Sequence, residues 1–164
     1  MNPVAADWGN FLAAQVGAAA ALAGLVAVAI SINLSRILQY PHLPARAAET
    51  LLAPTAAFVV ASVGLAPGLS GPAFGAGVAL IGAAALLVSA RAQIRAWRGV
   101  GARPLLEKIS RALATAAWLA PLIVGGAELL RNANGGFYWV AAGIVISLAV
   151  SIWNAWILLV EILR

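Results

Sequence analysis

Five long apolar segments restrict the possible folds of this chain more than any other feature of its sequence. They are residues 10–34, 45–65, 72–90, 112–130 and 137–163. Each is close to the length of about 20 residues that a helix needs to cross a membrane. Lipid offers the backbone no hydrogen-bonding partner, so spanning segments are helices or closed barrels, and none of these segments alternates like a barrel strand. We therefore predict an all-α, polytopic membrane helix bundle with five transmembrane helices, forming a single domain over residues 1–164.

The composition excludes several classes of protein. Hydrophobic residues make up 63% of the chain and charged residues 9%, whereas a soluble domain carries roughly 25% charged residues. Because there is no cysteine, disulfides, thiolate metal sites and cysteine nucleophiles are excluded. The single histidine, His42, lies in a proline-flanked loop without the other members of a catalytic or metal-binding set. We expect no enzyme activity, no metal site and no cofactor.

Lysine and arginine are distributed unevenly among the loops, which predicts the orientation. The loops after the first and third segments, together with the C-terminus, carry nine of the ten basic residues, and the opposite side carries only Arg131. Basic residues are retained on the cytoplasmic side of a membrane. We therefore expect the N-terminus outside and the C-terminus in the cytoplasm. The same bias explains the net charge of +5, so this charge does not indicate nucleic-acid binding.

Polar side chains collect where the segments reach the predicted cytoplasmic side. Such groups are costly in lipid and usually face protein or water. Judged by depth, they form one polar cluster of Asn33, Arg36, Arg46, Glu49, Asn154 and Glu161. Arg46 precedes Glu49 by three residues, and Arg164 follows Glu161 by three. We therefore expect each acid to pair with an arginine on its own helix.

Two further stripes follow helical spacing. In the fifth segment Ser147, Ser151 and Asn154 share a face with Glu161, and this polar stripe either packs against a neighbouring helix or lines a polar path. In the first segment small residues recur on one face, where helix backbones can approach closely. That stripe consists of Gly17, Gly24, Ala27, Ser31 and Ser35.

Other residues predict contacts with lipid or with neighbouring helices. Arg91, Arg95 and Arg98 lie on one face of a helical extension of the third segment, where we expect them to bind anionic headgroups. Residues 99–110 form either an interfacial helix or a loop. Deeper in the membrane we expect Trp118, Trp153 and Trp156 to pack between helices, and Pro54 and Pro121 to kink their helices unless neighbours bond the freed carbonyls.

Four stretches together resemble a family of small bacterial inner-membrane proteins, some of which are labelled modulators of the FtsH protease. They are "GAAAALAGLVAVAISINL" (17–34), "YPHLPARAAETL" (40–51), "GGFYWV" (135–140) and "NAWILLVEILR" (154–164). The resemblance implies a multi-pass protein of the bacterial inner (cytoplasmic) membrane. It implies no catalytic or binding residue.

Three functional hypotheses remain open at this point. The first is a non-enzymatic membrane protein that acts through helix–helix contacts, as a regulatory or scaffolding partner of another membrane protein. The second is a homo-oligomeric ion channel or transporter whose polar path is lined by the fifth helix. The third is binding of a lipid or another hydrophobic ligand between helices. Membrane lipids and further copies of the chain are expected partners in each case.

Overall fold

The computed structural model describes residues 3–40, 43–98, 105–133 and 135–163, and within these ranges the chain is helical apart from short turns. The helices are α1 (Pro3–Ile32), α2 (Leu34–Gln39), α3 (Leu43–Gly64), α4 (Gly71–Arg98), α5 (Leu105–Leu130) and α6 (Gly136–Leu163). Five of them, all except α2, are long and apolar enough to cross a membrane. The predicted all-α bundle with five spanning helices is therefore confirmed, and the protein is a multi-pass membrane protein.

The helices form a four-membered ring with a fifth spanning helix outside it. In the ring α3 packs against α4, α4 against α5, α5 against α6, and α6 returns to α3. Helix α1 lies mainly on α3, and the short α2 also contacts α3. Because α3 has neighbours on three sides, it is the most buried of the spanning helices. We call the end where α1, α4 and α6 finish and α3 and α5 begin the basic end.

The observed helices are longer than the apolar segments predicted. Helix α4 continues to Arg98, and α5 already begins at Leu105, so residues 105–110 are the first turns of a spanning helix. Residues 99–104 lie outside the described residues. Hydropathy marks only the part of a helix that lipid covers, while arginine side chains let a helix continue into the headgroup region. Helix α2 was not predicted, because six residues are too few for a clear periodic signal.

Glycines bring α4, α5 and α6 into close contact at the end opposite the basic end. A Cβ added to Gly75 would lie 2.8 Å from the backbone oxygen of Gly126, and one added to Gly136 would lie 2.7 Å from that of Gly125. These distances are too short for a real side chain, so each position requires glycine. Close backbone approach of this kind is a common way for helices to associate in membranes.

Helix α1 turns one side toward the bundle and leaves its glycines Gly17 and Gly24 on the opposite side. Leu12, Ala19 and Val26 are buried against the bundle, whereas a Cβ added to Gly17 or Gly24 would meet no atom within 4 Å. The predicted stripe of small residues therefore faces away from the rest of the chain. Small residues at a helix interface normally face the neighbouring helix, so this orientation is the reverse of the expected one.

The tryptophan prediction is correct for one residue and wrong for two. Trp118 is 3% exposed, but Trp153 is 65% exposed and Trp156 is 64% exposed. On α6 the inward face is set by Ser147 and Ser151, and a residue two positions after Ser151 points to nearly the opposite side of a helix. An amphipathic indole tolerates this position because its ring packs against lipid.

Candidate functional site

Two ion pairs join α3 to two other helices at the basic end. Arg46 Nη1 donates to Glu161 Oε1 on α6 at 2.5 Å. Arg111 on α5 donates to Glu49 Oε2 from Nε at 3.2 Å and also from Nη2. We call these four residues the ion-pair cluster. Each pair links residues far apart in the chain, so the cluster ties the beginnings of α3 and α5 to the end of α6.

The cluster is largely closed off by the helices around it. The exposed fraction of the side chain is 8% for Arg46, 11% for Arg111, 11% for Glu49 and 30% for Glu161. All four residues lie within the candidate membrane spans. A charge in such surroundings is tolerated when an opposite charge and hydrogen bonds compensate for its lost hydration. Two arginines and two glutamates make the cluster electrically neutral.

The spacing of Arg46 and Glu49 on α3 explains why they face different helices. Residues three apart on a helix point in directions about 60° apart. Arg46 can therefore reach α6 while Glu49 reaches α5, and both remain on the inner side of α3. Helical geometry also places Arg111 on the same inward face of α5 as Thr115 and Trp118.

A small cavity of about 10 Å³ lies between the ring helices beside the cluster. Its polar lining combines Arg46, Glu49 and Arg111 with Ser89, Thr115 and Asn154. Within the described residues, the buried Glu49 Oε1 has no hydrogen-bond partner. A space of this size is about the smallest that holds one water molecule, which also needs two to four polar neighbours. The lining provides donors and acceptors, so the cavity is chemically suited to a single bridging water.

Further polar bonds connect the ring helices near the cluster. Gln93 Nε2 on α4 donates to Thr115 Oγ1 on α5 at 3.0 Å. Thr50 Oγ1 donates back to Arg46 O on the same helix at 2.9 Å. The inner surface of the ring is therefore polar on α3, α4, α5 and α6 at this level.

Ser151 has a specific structural task that involves Pro54. Proline has no backbone N–H, so Pro54 leaves the carbonyl of Thr50, four residues earlier, without its usual helical donor. Ser151 Oγ on α6 donates to Thr50 O at 2.9 Å. A neighbouring helix thus bonds the freed carbonyl, which is the condition named above for a proline to be accommodated in a spanning helix.

The structure brings together four residues of the predicted polar cluster and separates two. Arg46, Glu49 and Asn154 line the cavity, and Glu161 is bonded to Arg46. Asn33 does not line the cavity, and its Nδ2 donates to Ala29 O on α1 at 2.9 Å. Arg36 lies exposed on α2. Depth placed all six residues at one level, but depth alone does not determine which way each side chain points.

The prediction of a local ion pair is wrong for Glu49, and the predicted pair of Glu161 with Arg164 stays a prediction. Glu49 pairs with Arg111 on α5 and Glu161 pairs with Arg46 on α3. Within a ring of helices, an inward-facing acid meets the inward-facing bases of its neighbours, and this geometry outweighs closeness in sequence. Arg111 was not predicted as a site residue because it was counted with the loop; its position four residues before Thr115, on a polar helical face, was the available signal. Arg164 lies outside the described residues.

The remaining predicted residues have distinct positions. Arg91 and Arg95 are exposed on α4, while the side chain of Arg98 lies outside the described part. Ser147 and Ser151 are each 0% exposed, and Ser147 Oγ donates to Ile144 O on its own helix at 2.7 Å. Both serines are enclosed by their own chain, so they do not contribute to a surface that several copies could share.

The centre of the ring beyond Ser147 contains tightly packed apolar side chains. Val78, Leu122, Val140 and Ile144 are completely or almost completely buried there. The polar layer therefore ends inside the bundle instead of continuing to the opposite end. Comparison with protein-family models, curated proteins and solved structures gives no significant match, so the site is defined by its own geometry.

Proposed function

We propose that this protein is a non-enzymatic protein of the bacterial inner membrane that acts through lateral helix–helix contacts. In this role it regulates or scaffolds another membrane protein, or assembles with further copies of itself. The proposal extends the resemblance to small bacterial inner-membrane proteins described above. The C-terminus and the basic end lie in the cytoplasm, as the distribution of arginine and lysine predicts.

The orientation of α1 is the observation that carries this proposal. Its Leu12–Val26 side faces α3, and its side with Gly17 and Gly24 faces away with open space around it. Lipid does not require small residues at these positions, since larger apolar side chains bury more surface in the same surroundings. A second helix does benefit, because small residues allow close contact between backbones. The outward face of α1 therefore suits a transmembrane helix of another chain.

The buried polar stripe gives less support to the alternative of a homo-oligomeric channel. A path lined by the fifth helix requires Ser147 and Ser151 to face the space between copies, and both are 0% exposed within one chain. The apolar packing beyond Ser147 would also have to open.

Single-cysteine crosslinking in native membranes tests the proposal, since the natural chain has no cysteine. We expect a variant with Ala21→Cys, on the outward face of α1, to crosslink to a partner helix when its thiol carries a benzophenone maleimide and the membranes are illuminated, since the photoreactive group inserts into C–H bonds and needs no thiol on the partner. Adding Gly24→Leu should then suppress this product, because a large side chain keeps the helices apart. Val88→Cys, at an exposed position on α4, is the matched control.

Two results would contradict lateral association through α1. One is equal crosslinking of the Ala21→Cys and Val88→Cys variants, which would indicate random collision in the membrane. The other is unchanged crosslinking after Gly24→Leu. A crosslinked product of twice the mass of the chain would identify self-association, and a product of another mass would identify a different partner.

A further inference from the structure

A groove between α1 and α6 opens toward the membrane. The two helices are close at the end opposite the basic end, where the Trp8 ring lies 5.8 Å from that of Phe137 and 5.0 Å from that of Tyr138. Toward the basic end they separate and leave a groove of about 290 Å³ over α3. Leu25, Val26 and Ala29 form one wall, and Ala155, Trp156 and Leu159 form the other.

The side chains that line this groove are almost all apolar. The polar groups of its lining side chains are the Thr50 hydroxyl, which already donates to Arg46 O at 2.9 Å, and the single indole N–H of Trp156. The lining therefore offers a polar ligand very few hydrogen-bonding groups. A hydrocarbon chain is the occupant that suits such an apolar lining.

Helix α2 borders the groove at the basic end. Its Ile37 packs in one cluster with Leu43, Ala47 and Leu158, and Ile30 packs against the same cluster. Because Ile30 and Leu158 also line the groove, α2 lies at the margin of the groove nearest the basic end. Arg36 directly precedes Ile37 and is exposed at this margin.

The charge of the basic end selects the type of headgroup. Among the side chains that the structure describes there, six are basic and two are acidic. Both acids, Glu49 and Glu161, already bond to arginines within the cluster. The surplus of positive charge attracts anionic headgroups, and each basic residue near the surface strengthens this attraction. An anionic phospholipid therefore complements the groove and its margin together.

We propose that the groove between α1 and α6 binds one acyl chain of an anionic phospholipid, whose phosphate lies beside Arg36 on α2. The lipid comes from the leaflet at the basic end, because the lining residues lie in the halves of α1 and α6 nearest that end and α2 borders the groove there. This site does not depend on lateral association, since one chain forms it alone. A partner helix that places side chains in the groove is the competing occupant, and the test below separates the two.

Native mass spectrometry of protein released from nanodiscs of equal parts phosphatidylglycerol and phosphatidylcholine tests the site. We expect one phosphatidylglycerol molecule to remain bound per monomer. Ala155→Leu, which fills the groove, should lower its retention about ten-fold, as overpacking a close-fitting space does. Arg36→Gln should lower the preference for phosphatidylglycerol about five-fold while lipid is still retained.

Two matched variants control for general effects of size and charge. Ala120→Leu adds the same volume to the separate groove between α4 and α5, and Arg95→Gln removes an exposed arginine from α4. Ala120→Leu should not change lipid retention, and Arg95→Gln should lower the preference for phosphatidylglycerol less than Arg36→Gln does, because Arg95 lies on α4, which does not line the α1–α6 groove. If Ala155→Leu does not fold, Ala29→Leu fills the same groove from the opposite wall.

Tryptophan fluorescence with brominated phosphatidylglycerol in phosphatidylcholine vesicles gives a second readout. Quenching from a defined site should saturate at a low fraction of brominated lipid, and Trp156→Phe should remove this saturable part. Trp153→Phe should not, because Trp153 is exposed on α6 but does not line the groove. Equal retention by wild type and Ala155→Leu, or quenching that rises linearly without saturation, would overturn the proposal. Retention of another protein in place of lipid would assign the groove to a partner helix.

Discussion

At the scale of single residues, the basic end combines charges that depend on one another. Glu49 and Arg111 each have 11% of the side chain exposed, so water hydrates neither charge fully. Each charge therefore depends on its partner for stabilisation. Removing one member of a buried pair leaves the other uncompensated, and this is usually more harmful than removing both.

Arg111→Met is therefore expected to lower the free energy of unfolding by about 3–5 kcal/mol. The double variant Arg111→Met with Glu49→Met should recover most of this loss, since no charge then remains unpaired. Arg95→Met, which removes an exposed arginine of α4, is the control and should have little effect. Unfolding in mixed micelles with increasing SDS measures all three. Equal stability of Arg111→Met and wild type would contradict the pairing.

The bond from Ser151 to the carbonyl of Thr50 gives a second prediction at this scale. Ser151→Ala should lower the free energy of unfolding by about 1–3 kcal/mol, because it leaves a buried carbonyl without a donor. In a Pro54→Ala background, residue 54 again has an N–H for Thr50 O. The cost of Ser151→Ala should then largely disappear, and a double-mutant cycle measures the difference.

Ser147→Ala is the control for this cycle. Its hydroxyl donates to Ile144 O within α6, and that carbonyl also lies within the regular helix. We expect a smaller cost than for Ser151→Ala, and no dependence on residue 54. An equal cost of Ser151→Ala in both backgrounds would mean that the bond does not compensate for the proline.

At the scale of helices, glycines occur both where helices pack closely and on the outward side of α1. Gly75 approaches the backbone of α5, with Gly126 O 2.8 Å from the position a Cβ would occupy. Gly17 on α1 has no atom within 4 Å of the same position. The same residue type therefore has opposite roles on two helices of one chain.

Gly75→Ala should destabilise the protein by about 1–3 kcal/mol, since backbone atoms of α5 would have to move to make room. Gly17→Ala should be neutral or slightly stabilising in monomeric protein, because alanine is the better helix former and nothing obstructs it. Thermal unfolding in detergent compares the two. Equal effects of both substitutions would contradict the close approach of α4 and α5.

At the scale of the whole molecule, an odd number of spanning helices places the two termini on opposite sides of the membrane. The distribution of basic residues predicts that the C-terminus is cytoplasmic. A fluorescent protein fused to the C-terminus should therefore fold and emit, whereas alkaline phosphatase fused there should stay inactive. The reverse pattern would invert the orientation.

The number of spanning helices followed from the sequence because apolar length is a strong and local signal. Four members of the polar cluster, Arg46, Glu49, Asn154 and Glu161, were placed together because helix direction alone sets their depth. Their pairing could not be derived in the same way. The bond between Glu49 and Arg111 depends on which helices are neighbours in the ring, and no periodicity in the sequence states this order.

The side of α1 that faces the bundle was also not predictable from the sequence pattern. A stripe of small residues and a stripe of larger apolar residues are both compatible with a helix interface in lipid. Only the packing of Leu12, Ala19 and Val26 on the bundle decides between them. Trp153 and Trp156 were misplaced for the same reason, since their depth was known but their direction was not.

The Thr50–Ser151 bond cannot form until late in synthesis, because α6 is made after α3. Helix α3 leaves the ribosome well before α5 and α6, yet the donor to Thr50 O, the base that pairs with Glu49 and the acid that pairs with Arg46 are on those two later helices. While the chain is still growing, α3 therefore lacks the donor to Thr50 O and the partners on α5 and α6 to which Glu49 and Arg46 bond. We expect α3 to remain near the protein surfaces of the insertion machinery until α6 arrives, and to enter lipid only as part of the closed ring.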